Sequence, residues 1–303
     1  MAEASRTRRA LLLVNQESRQ GQDATGAAAA ALRRAGIELL QEQCSSADEL
    51  NGTIRRLAST VDMVVLGGGD GTMNSAAPAL LDAGLPLGIL PLGTANDLAR
   101  TLGIPLDLDE AAQVILDGHV RHIDLGEVNG QPFFNVASVG LSVQVARELS
   151  GDMKKRWGRL GYALATCRAL WRMRPFSAEI HYGDVSHKVR TLQIAIGNGR
   201  YYGGGMAVED GAEIDDGLLN LYSLEFESLW KLALIYPAFR SGRHGMWREV
   251  RTATFKEAEV TTRRSRRVNA DGDLTTRTPA HFRVLERAIV VFAPPRSSER
   301  LEA

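Results

Sequence analysis

Residues 64–74 have the sequence VVLGGGDGTMN, in which an apolar run ends in a loop dominated by glycine. The apolar residues predict a buried strand of a parallel sheet, and a helical pattern follows from about residue 73 to residue 83. Open α/β sheets bind ligands where their parallel strands end. One glycine would satisfy a tight turn, whereas Gly67, Gly68, Gly69 and Gly71 together favour a loop whose backbone N–H groups bind phosphate oxygens.

This loop matches neither of the two common phosphate-binding motifs. The dinucleotide fingerprint would need a glycine at Thr72, and the Walker A motif needs a lysine, but the first lysine of the chain is Lys154. Backbone dipoles, arginine or a metal ion must therefore balance the phosphate charge. Asp70 is suited to hold Mg²⁺ against the phosphate chain, because hard cations prefer carboxylate oxygens.

The residues around this loop alternate between strand and helix patterns. Strands are predicted at 9–14, 37–42, 61–66 and 87–90, and helices at 24–35, 46–60 and 73–83. This rhythm predicts right-handed crossovers and a parallel sheet. Ser46 is the predicted N-cap of the second helix, with Glu49 in capping-box spacing. A second polar loop, LGTAND at 92–97, follows the fourth strand, and an N-cap role for Thr94 is the alternative to ligand binding there.

From about residue 121 the pattern changes to short strands separated by the turn dipeptides Asn129-Gly130, Gly183-Asp184 and Asp271-Gly272. The predicted strands are 121–128, 132–137, 177–182, 189–196, 218–224, 250–255, 281–285 and 288–292, and two helices are predicted at about 158–174 and 227–240. We therefore expect an α/β fold, with an N-terminal parallel-sheet domain over 1–122 and a C-terminal antiparallel β-sandwich-like domain over 123–303. The last strand and the tail are candidates to return to the first domain.

The composition is that of a globular protein with about two domains: 303 residues, 44% hydrophobic and 24% charged, with a net charge of zero. Zero net charge provides no global field for nucleic acid, and no nucleic-acid partner is expected. Two cysteines exclude a disulfide framework. The apolar run near the N-terminus is too short for a signal peptide, and no stretch approaches a membrane span, so a cytoplasmic protein is expected.

Further motifs follow in order: LPLGTANDLARTLGIP at 90–105, IDLGEVNGQPFFNVASVGLS at 123–142, GNGRYYGGGM at 197–206, EDGAEIDDGLL at 209–219 and NADGD at 269–273. Together with GGGDGTMN they resemble the diacylglycerol-kinase-like lipid kinases, closest to the bacterial branch that includes phosphatidylglycerol-directed members and is related to sphingosine kinases. The resemblance covers nearly the whole chain. It implies two domains, with nucleotide bound by the first and lipid by the second.

The resemblance also implies roles for individual residues. Nucleotide contacts are implied for Ser45, Gly68, Gly69, Asp70, Gly71, Thr72, Asn74 and Thr94. Asp97 corresponds to a carboxylate that supports the metal network of Asp70. Asp216 corresponds to a metal-binding aspartate, with backbone carbonyls near Glu213 and Leu218 completing that site. The early NPxSG motif of the family is present as Asn15-Gln16-Glu17-Ser18, without its proline.

The most important departure is in NADGD, where the family usually ends in glutamate, its general base. Asp273 stands there, one methylene shorter. Spacing alone would make DGD a hairpin turn, and the resemblance makes Asp273 the candidate base. The expected activity is ATP- and Mg²⁺-dependent transfer of the γ-phosphate to a hydroxyl of a diacylglycerol-like lipid. An NAD-kinase-like activity and a non-catalytic nucleotide- or lipid-binding regulator are the alternatives.

Two basic stretches bear on a lipid partner. Residues 153–178 contain no acid and interleave lysine and arginine with tryptophan and leucine, which suits an anionic membrane surface or, alternatively, a core helix with a basic rim. The run Arg263-Arg264-Ser265-Arg266-Arg267 could meet phosphates or protect a hairpin edge. Gly203 to Gly205 are candidates to admit an acyl chain. The expected location is therefore peripheral to the inner face of the membrane, while the acceptor lipid and oligomeric state are not specified by these motifs.

Overall fold

The computed structural model describes residues 8–15, 21–140, 174–199, 201–202, 206–207, 213–225 and 250–296. These residues form two compact units. The first comprises the chain up to Asp124 and again from Glu286, and the second runs from Leu125 to Leu285. Within the described residues, no helix is long and apolar enough to cross a bilayer.

The first unit alternates strands with helices. Its elements up to the boundary are β1 (Arg9–Asn15), α1 (Gly21–Arg34), β2 (Glu38–Cys44), α2 (Ala47–Leu57), a 3₁₀ turn (Ala58–Thr60), β3 (Met63–Gly68), α3 (Asp70–Ala83), β4 (Leu87–Pro91), α4 (Asp97–Leu102), α5 (Leu108–Asp117) and β5 (Val120–Val128). The four predicted strands and three predicted helices are all present. A helix start just after Thr94 was also expected, and α4 begins there, at Asp97, whereas α5 was not predicted.

The second unit is built from strands in its described part. They are β6 (Gln131–Phe133), β7 (Val136–Gly140), β8 (Phe176–Tyr182), β9 (Val185–Thr191), β10 (Gln193–Gly197), β11 (Tyr201–Tyr202), β12 (Met206–Ala207), β13 (Leu219–Leu224), β14 (Val250–Phe255), β15 (Glu257–Thr262), β16 (Arg267–Ala270), β17 (Asp273–Arg277) and β18 (Ala280–Phe292). The predicted helix at 227–240 lies outside the described residues, as does the helix at 158–174 apart from Arg174.

The sheet of the first unit is parallel. Its strands pair in the order β2-β1-β3-β4, and the end of β18 adds next to β4 with Val291 opposite Leu87. Every residue of β3 and β4 is buried, as expected of central parallel strands with helices on both faces. The predicted parallel α/β sheet is confirmed, and it carries both glycine-containing loops at the ends of neighbouring strands.

Helix α3, which begins at the glycine loop, is interrupted by Pro78. Proline lacks an N–H and its ring disturbs the preceding turn. The side-chain amide of Asn51 on α2 lies at this point: its Nδ2 donates to Ser75 O at 2.6 Å and its Oδ1 accepts from Ala79 N at 3.0 Å. These are the two backbone groups that a regular α-helix would join to each other. Asn51 therefore satisfies the interrupted turn and ties α2 to α3.

The second unit contains two antiparallel groups of strands. Six strands form one sheet in the order β14-β13-β10-β7-β16-β17, while β9, β8, β15 and the first part of β18 form another. Side chains of both contribute to one buried core, including Val139 and Leu221 from the first and Ile180, Val260 and Phe282 from the second. This arrangement confirms the predicted sandwich-like fold.

The turn dipeptides lie where they were predicted. Asn129 and Gly130 connect β5 to β6 with φ of 49° and 81°, and Asp271 and Gly272 connect β16 to β17 with φ of 48° and 103°. Two positive φ values are the signature of the two-residue turn that matches strand twist. In the turn between β8 and β9 only the first residue, Gly183, has a positive φ, of 53°.

Two strand predictions differ from the structure in detail. The single strand predicted at 132–137 is divided after Phe133, because the N–H groups of Phe134 and Asn135 donate to the carboxylate of Asp271. The strands predicted at 281–285 and 288–292 are one strand. It has an irregularity at Arg287, whose φ is 50° and whose N–H donates to Asp124 Oδ1 at 2.6 Å.

Candidate active site

The two glycine-containing loops of the first unit touch each other through bare backbone. A Cβ built on Gly69 would lie 2.9 Å from Gly93 Cα, and a Cβ built on Gly93 would lie 2.5 Å from Gly69 Cα. Real Cβ atoms do not approach other atoms so closely. Leu92 N also donates to Gly68 O at 2.9 Å, which joins the two loops by a backbone hydrogen bond. Glycine at both positions is therefore required by loop packing itself.

The other glycines of the first loop divide into two kinds. A Cβ on Gly68 would lie 2.4 Å from Thr72 Oγ1, and a Cβ on Gly67 would lie 3.1 Å from Leu92 Cδ1, so packing accounts for both. A Cβ on Gly71 would meet nothing within 4 Å, and Gly71 is exposed. None of the four has a positive φ. Gly71 is thus the position where neither packing nor backbone conformation explains the glycine.

Asp70 and Gly71 begin helix α3, and its N-cap, Gly69, provides no side-chain hydrogen bond. The first backbone bonds of the helix run from Thr72 N and Met73 N to Gly69 O, at 2.9 and 3.2 Å. The N–H groups before Thr72 lie ahead of the first intrahelical donor. A helix N-terminus without a side-chain cap favours an anion through its unpaired N–H groups and its dipole.

The carboxylate of Asp70 links the two loops. Its Oδ1 accepts from Leu98 N at 3.0 Å, the second residue of α4. The N-cap residue of α4, Asn96, makes no capping bond of its own; its side chain instead closes on Gly93, with Oδ1 accepting from Gly93 N at 2.9 Å and Nδ2 donating to Gly93 O at 2.8 Å. Asp70 therefore caps a helix that begins in the other loop. One carboxylate oxygen serves this structural bond.

The predicted residues around Asp70 differ in their exposure. Asp97 is the first residue of α4 and is 4% exposed. Asn74 is 9% exposed, and its Oδ1 is buried without a hydrogen-bond partner. Thr94 is exposed and lies two residues before the N-cap of α4, so the alternative that Thr94 caps this helix is wrong. An unpaired buried acceptor such as Asn74 Oδ1 is uncommon in folded proteins and fits a site completed by a ligand.

Ser45 lies at the end of β2, and its polar groups are used within the chain. Ser45 N and Oγ both donate to Glu49 Oε2 at 2.8 Å. Ser46 is the N-cap of α2, as predicted, and its Oγ accepts from Glu49 N at 3.2 Å. The capping box thus forms with one difference: the Glu49 carboxylate bonds the N–H of Ser45, the residue before the N-cap, rather than that of Ser46. These hydrogen bonds lower the pKa of Glu49, the backbone N–H of Ser45 having the largest effect.

In the second unit, Asp273 lies one residue beyond the turn between β16 and β17, where its side chain is exposed. The preceding aspartate is held tightly. Asp271 accepts backbone N–H bonds from Phe134 at 2.7 Å, from Asn135 at 3.0 Å and from Val136 at 2.9 Å. Three N–H groups on one carboxylate fix the turn that carries Asp273.

The GNG motif joins the same point. Asn198 is fully buried, with its Nδ2 donating to Phe134 O at 3.0 Å and its backbone N donating to Asn135 O at 2.8 Å. Three sequence motifs, at 123–142, 197–206 and 269–273, therefore meet around residues 134–136. The motifs contain Asp271 and Asn198, but their pattern predicts no role for either residue. The pairing of a DG turn with a distant loop depends on tertiary contacts that spacing does not reveal.

Asp216 lies in the loop before β13, where its Oδ1 accepts from Leu218 N at 2.9 Å. Gly217 between them has φ of 73°. Among the described residues, no group of three or more His, Cys, Asp or Glu side chains could hold a metal ion. A site made from Asp216 and the carbonyls near Glu213 and Leu218 would not form such a group, so it stays a prediction.

Two predictions on lipid contact lie outside the described residues. These are most of the basic stretch at 153–178 and Gly203 to Gly205. The arginine run at 263–267 is described and connects β15 to β16.

Comparison with known proteins is consistent across sequence and structure. The diacylglycerol kinase catalytic domain matches residues 9–128, and the YegS C-terminal NAD kinase beta sandwich-like domain matches residues 135–293. A diacylglycerol kinase of Staphylococcus epidermidis (strain RP62A) is 31% identical over 242 residues, 79% of this chain and 77% of the relative. A "probable lipid kinase YegS-like" protein of Pseudomonas aeruginosa (strain PAO1) is 39% identical over 214 residues, 70% of each chain.

Solved structures agree with the fold. The crystal structure of a Bacillus anthracis (strain Sterne) protein assigned as a diacylglycerol kinase superposes with a TM-score of 0.79 at 25% identity, covering 96% of this chain and 99% of the other. A second structure with the same assignment and source gives 0.75 at 27% identity. With both family domains in order and relatives above 30% identity over more than two thirds of its length, this chain belongs to the diacylglycerol kinase family and is a lipid kinase.

Proposed function

We propose that this kinase transfers the γ-phosphate of ATP, in the presence of Mg²⁺, to a hydroxyl of a diacylglycerol-like lipid. In this proposal the first unit binds the nucleotide and the second binds the lipid. The names of the relatives support the acceptor class, since the Staphylococcus relative is called a diacylglycerol kinase. The nucleotide and metal are supported by the chemistry of the loops.

The observation that carries the proposal is the N-terminus of helix α3. It has no side-chain cap, and its second residue is an exposed glycine, Gly71, on which a Cβ would meet no atom within 4 Å. Phosphate oxygens could reach the backbone N–H groups there without meeting a side chain. The carboxylate of Asp70 lies at the same helix end, where an anion opposes phosphate unless a cation separates the two.

The donor set fits such a cation. Asp70 uses Oδ1 for Leu98 N, which leaves a carboxylate with capacity for further contacts. Asp97, the first residue of α4, would supply a second carboxylate. Oxygen ligands of this type suit Mg²⁺, which when bound would neutralise phosphate charge. Asp70 and Asp97 are the residues proposed to hold it, and Thr72, Asn74, Thr94 and Ser45 are the further proposed nucleotide contacts.

Asp273 is the proposed general base. Its carboxylate would accept the proton of the lipid hydroxyl while that oxygen attacks the γ-phosphorus, and the bond from this phosphorus to the β–γ bridging oxygen would break to release ADP. An exposed carboxylate on a firmly anchored turn can meet a substrate hydroxyl without first breaking an internal bond. Catalysis would then consist mainly of positioning and charge neutralisation.

The test is phosphate transfer from γ-labelled ATP to diacylglycerol, monoacylglycerol, ceramide, sphingosine or phosphatidylglycerol in mixed micelles, with NAD as a separate acceptor. The proposal expects label on a diacylglycerol-like lipid that is lost in Asp70→Ala. Label on NAD alone would instead support the NAD-kinase-like alternative.

A non-catalytic regulator is the second candidate, because Asp273 stands where the family has glutamate. ATP binding without transfer to any lipid would support it. Activity that is gained in Asp273→Glu and absent from the wild type would show that the shorter side chain cannot act as the base. Loss of activity in Asp273→Ala from an active wild type would support the proposed role.

A further inference from the structure

Several strand ends converge at one end of the second unit. The start of β8 pairs with the end of β9, where Ser177 lies opposite Arg190. The end of β15 pairs with β8, where Thr262 lies opposite Ala178. The chain then turns into β16, whose first residue, Arg267, lies opposite Arg277 at the end of β17.

These strand ends carry arginine and no acid. The segments 174–178, 189–192, 262–268 and 275–279 contain no aspartate or glutamate. We call their arginines the arginine end, and its members are Arg174, Arg190, Arg263, Arg264, Arg266, Arg267 and Arg277. All are exposed except Arg266, which is half-buried. Within the part of the chain that the structure describes, none of the seven forms an ion pair.

This arrangement is unfavourable for the isolated fold. Arg267 and Arg277 are direct cross-strand neighbours, and like charges in that position destabilise a sheet. Other arginines of the same unit are neutralised, as in Arg251 with Glu225 and Arg283 with Glu127, both at 2.7 Å. The guanidinium of Arg266 lies 4.0 Å above the Phe176 ring, and burial lowers its pKa.

The loop that carries Arg263 and Arg264 is held in place from within. Thr278 is buried, its Oγ1 accepts from Arg266 N at 2.9 Å, and its carbonyl accepts from Ser265 Oγ at 3.0 Å. The hydroxyl of Thr262 also contacts that of Thr278. Arg263 and Arg264 are therefore presented by an ordered loop, so little backbone entropy is lost when an anion binds.

We propose that the arginine end binds the anionic phospholipid headgroups of a membrane. The choice of a membrane rests on the proposed lipid-kinase function, since the acceptor lipid resides there. Strand β17 carries both the proposed base and a member of the arginine end. Arg277 follows Asp273 by four residues, about 13 Å along an extended strand. Binding through Arg277 would thus place the proposed base within one strand length of the lipid surface.

Nucleic acid fits this end less well. Single-stranded nucleic acid is bound by exposed aromatic rings as well as by cations. Phe176, which lies under Arg266, is 6% exposed and is unavailable for stacking. The described residues of the arginine end provide charge alone, which suits headgroups at an anionic bilayer.

Sedimentation of the full chain with lipid vesicles tests the proposal. Wild-type protein should bind vesicles of 30:70 phosphatidylglycerol and phosphatidylcholine but not vesicles of phosphatidylcholine alone, and binding should weaken as salt is raised. Each neutralised arginine should lower the partition coefficient roughly fivefold, so Arg267→Gln/Arg277→Gln should lower it roughly 25-fold. Arg33→Gln/Arg34→Gln, on exposed positions of α1, gives the same change in net charge and should leave binding within about twofold.

Folding and catalysis are measured separately from binding. Removal of a like-charge pair should leave the melting temperature of Arg267→Gln/Arg277→Gln unchanged or higher. If that variant binds vesicles like the wild type, if the α1 control loses binding equally, or if the substitutions weaken binding to poly(U) RNA and not to vesicles, the proposal is wrong. If Arg267→Gln/Arg277→Gln loses vesicle binding and the wild type phosphorylates no lipid, this proposal is retained and the proposed function is rejected. If the wild type phosphorylates a monomeric short-chain diacylglycerol and the arginine variant binds vesicles as the wild type does, the proposed function is retained and this proposal is rejected.

Discussion

Two of the five Asp-Gly dipeptides of the chain, Asp70-Gly71 in the first unit and Asp271-Gly272 in the second, have different roles. In the first unit the dipeptide begins a helix, and Asp70 accepts one backbone bond. In the second it forms a hairpin turn with two positive φ values, and Asp271 accepts from three consecutive backbone N–H groups. The number of backbone donors on a carboxylate thus separates an architectural aspartate from one that is available to a ligand.

The largest effect on stability is expected at Asp271. Asp271→Ala would leave three backbone N–H groups without their acceptor and should lower the free energy of unfolding by about 3 kcal/mol. Urea denaturation measures this change. Asp273→Ala, two residues away and exposed, is the matched control and should change it by less than about 0.5 kcal/mol. Equal effects of the two substitutions would contradict the distinction between these aspartates.

At Asp70 the expected loss is catalytic. Asp70→Asn preserves an oxygen that can accept from Leu98 N, so the free energy of unfolding should stay within about 1 kcal/mol of the wild type. The missing charge should lower kcat for lipid phosphorylation roughly a hundredfold or more. Initial rates and urea denaturation on the same preparation separate the two quantities. A variant that loses stability and retains kcat would show Asp70 to be architectural, like Asp271.

The glycine of the second dipeptide depends on its backbone conformation. Gly272 has φ of 103°, a region that residues with a Cβ avoid, although a Cβ there would meet no atom within 4 Å. Gly272→Ala should therefore lower the free energy of unfolding by about 1–2 kcal/mol through backbone strain alone. A neutral result in thermal or urea unfolding would mean that the turn relaxes at no cost.

Substitution of Gly71, the glycine of the first dipeptide, is expected to change the free energy of unfolding in the opposite direction. Gly71 lies in a helix with open space beside it, so Gly71→Ala should raise the free energy of unfolding by roughly 0.5 kcal/mol. The added methyl group would obstruct phosphate, and the KM for ATP should rise several-fold. Gly69→Ala is the contrasting variant, because its Cβ would lie 2.9 Å from Gly93 Cα and should destabilise the loop. An unchanged KM in Gly71→Ala would argue against phosphate at this helix end.

The sequence alone determined the alternation of strands and helices in the first unit and the three hairpin turns in the second. These depend on local periodicity and on residues that tolerate positive φ, both of which neighbouring residues specify. The N-cap at Ser46 belongs to the same class. Helix α5 was missed, as were the strands β15 to β17 on either side of the arginine-rich turn.

Tertiary structure decided what the polar residues do. The packing of Gly69 on Gly93, the capping of α4 by Asp70, the insertion of Asn51 at Pro78 and the three N–H groups on Asp271 all join segments distant in sequence. The capping-box glutamate also bonds Ser45 rather than Ser46. A hydrogen bond is chosen by whichever donor the fold brings within about 3 Å, and spacing along the chain does not encode that distance. The motifs therefore identify the family, while only the folded chain distinguishes the carboxylates that build the site from those that remain available to a ligand.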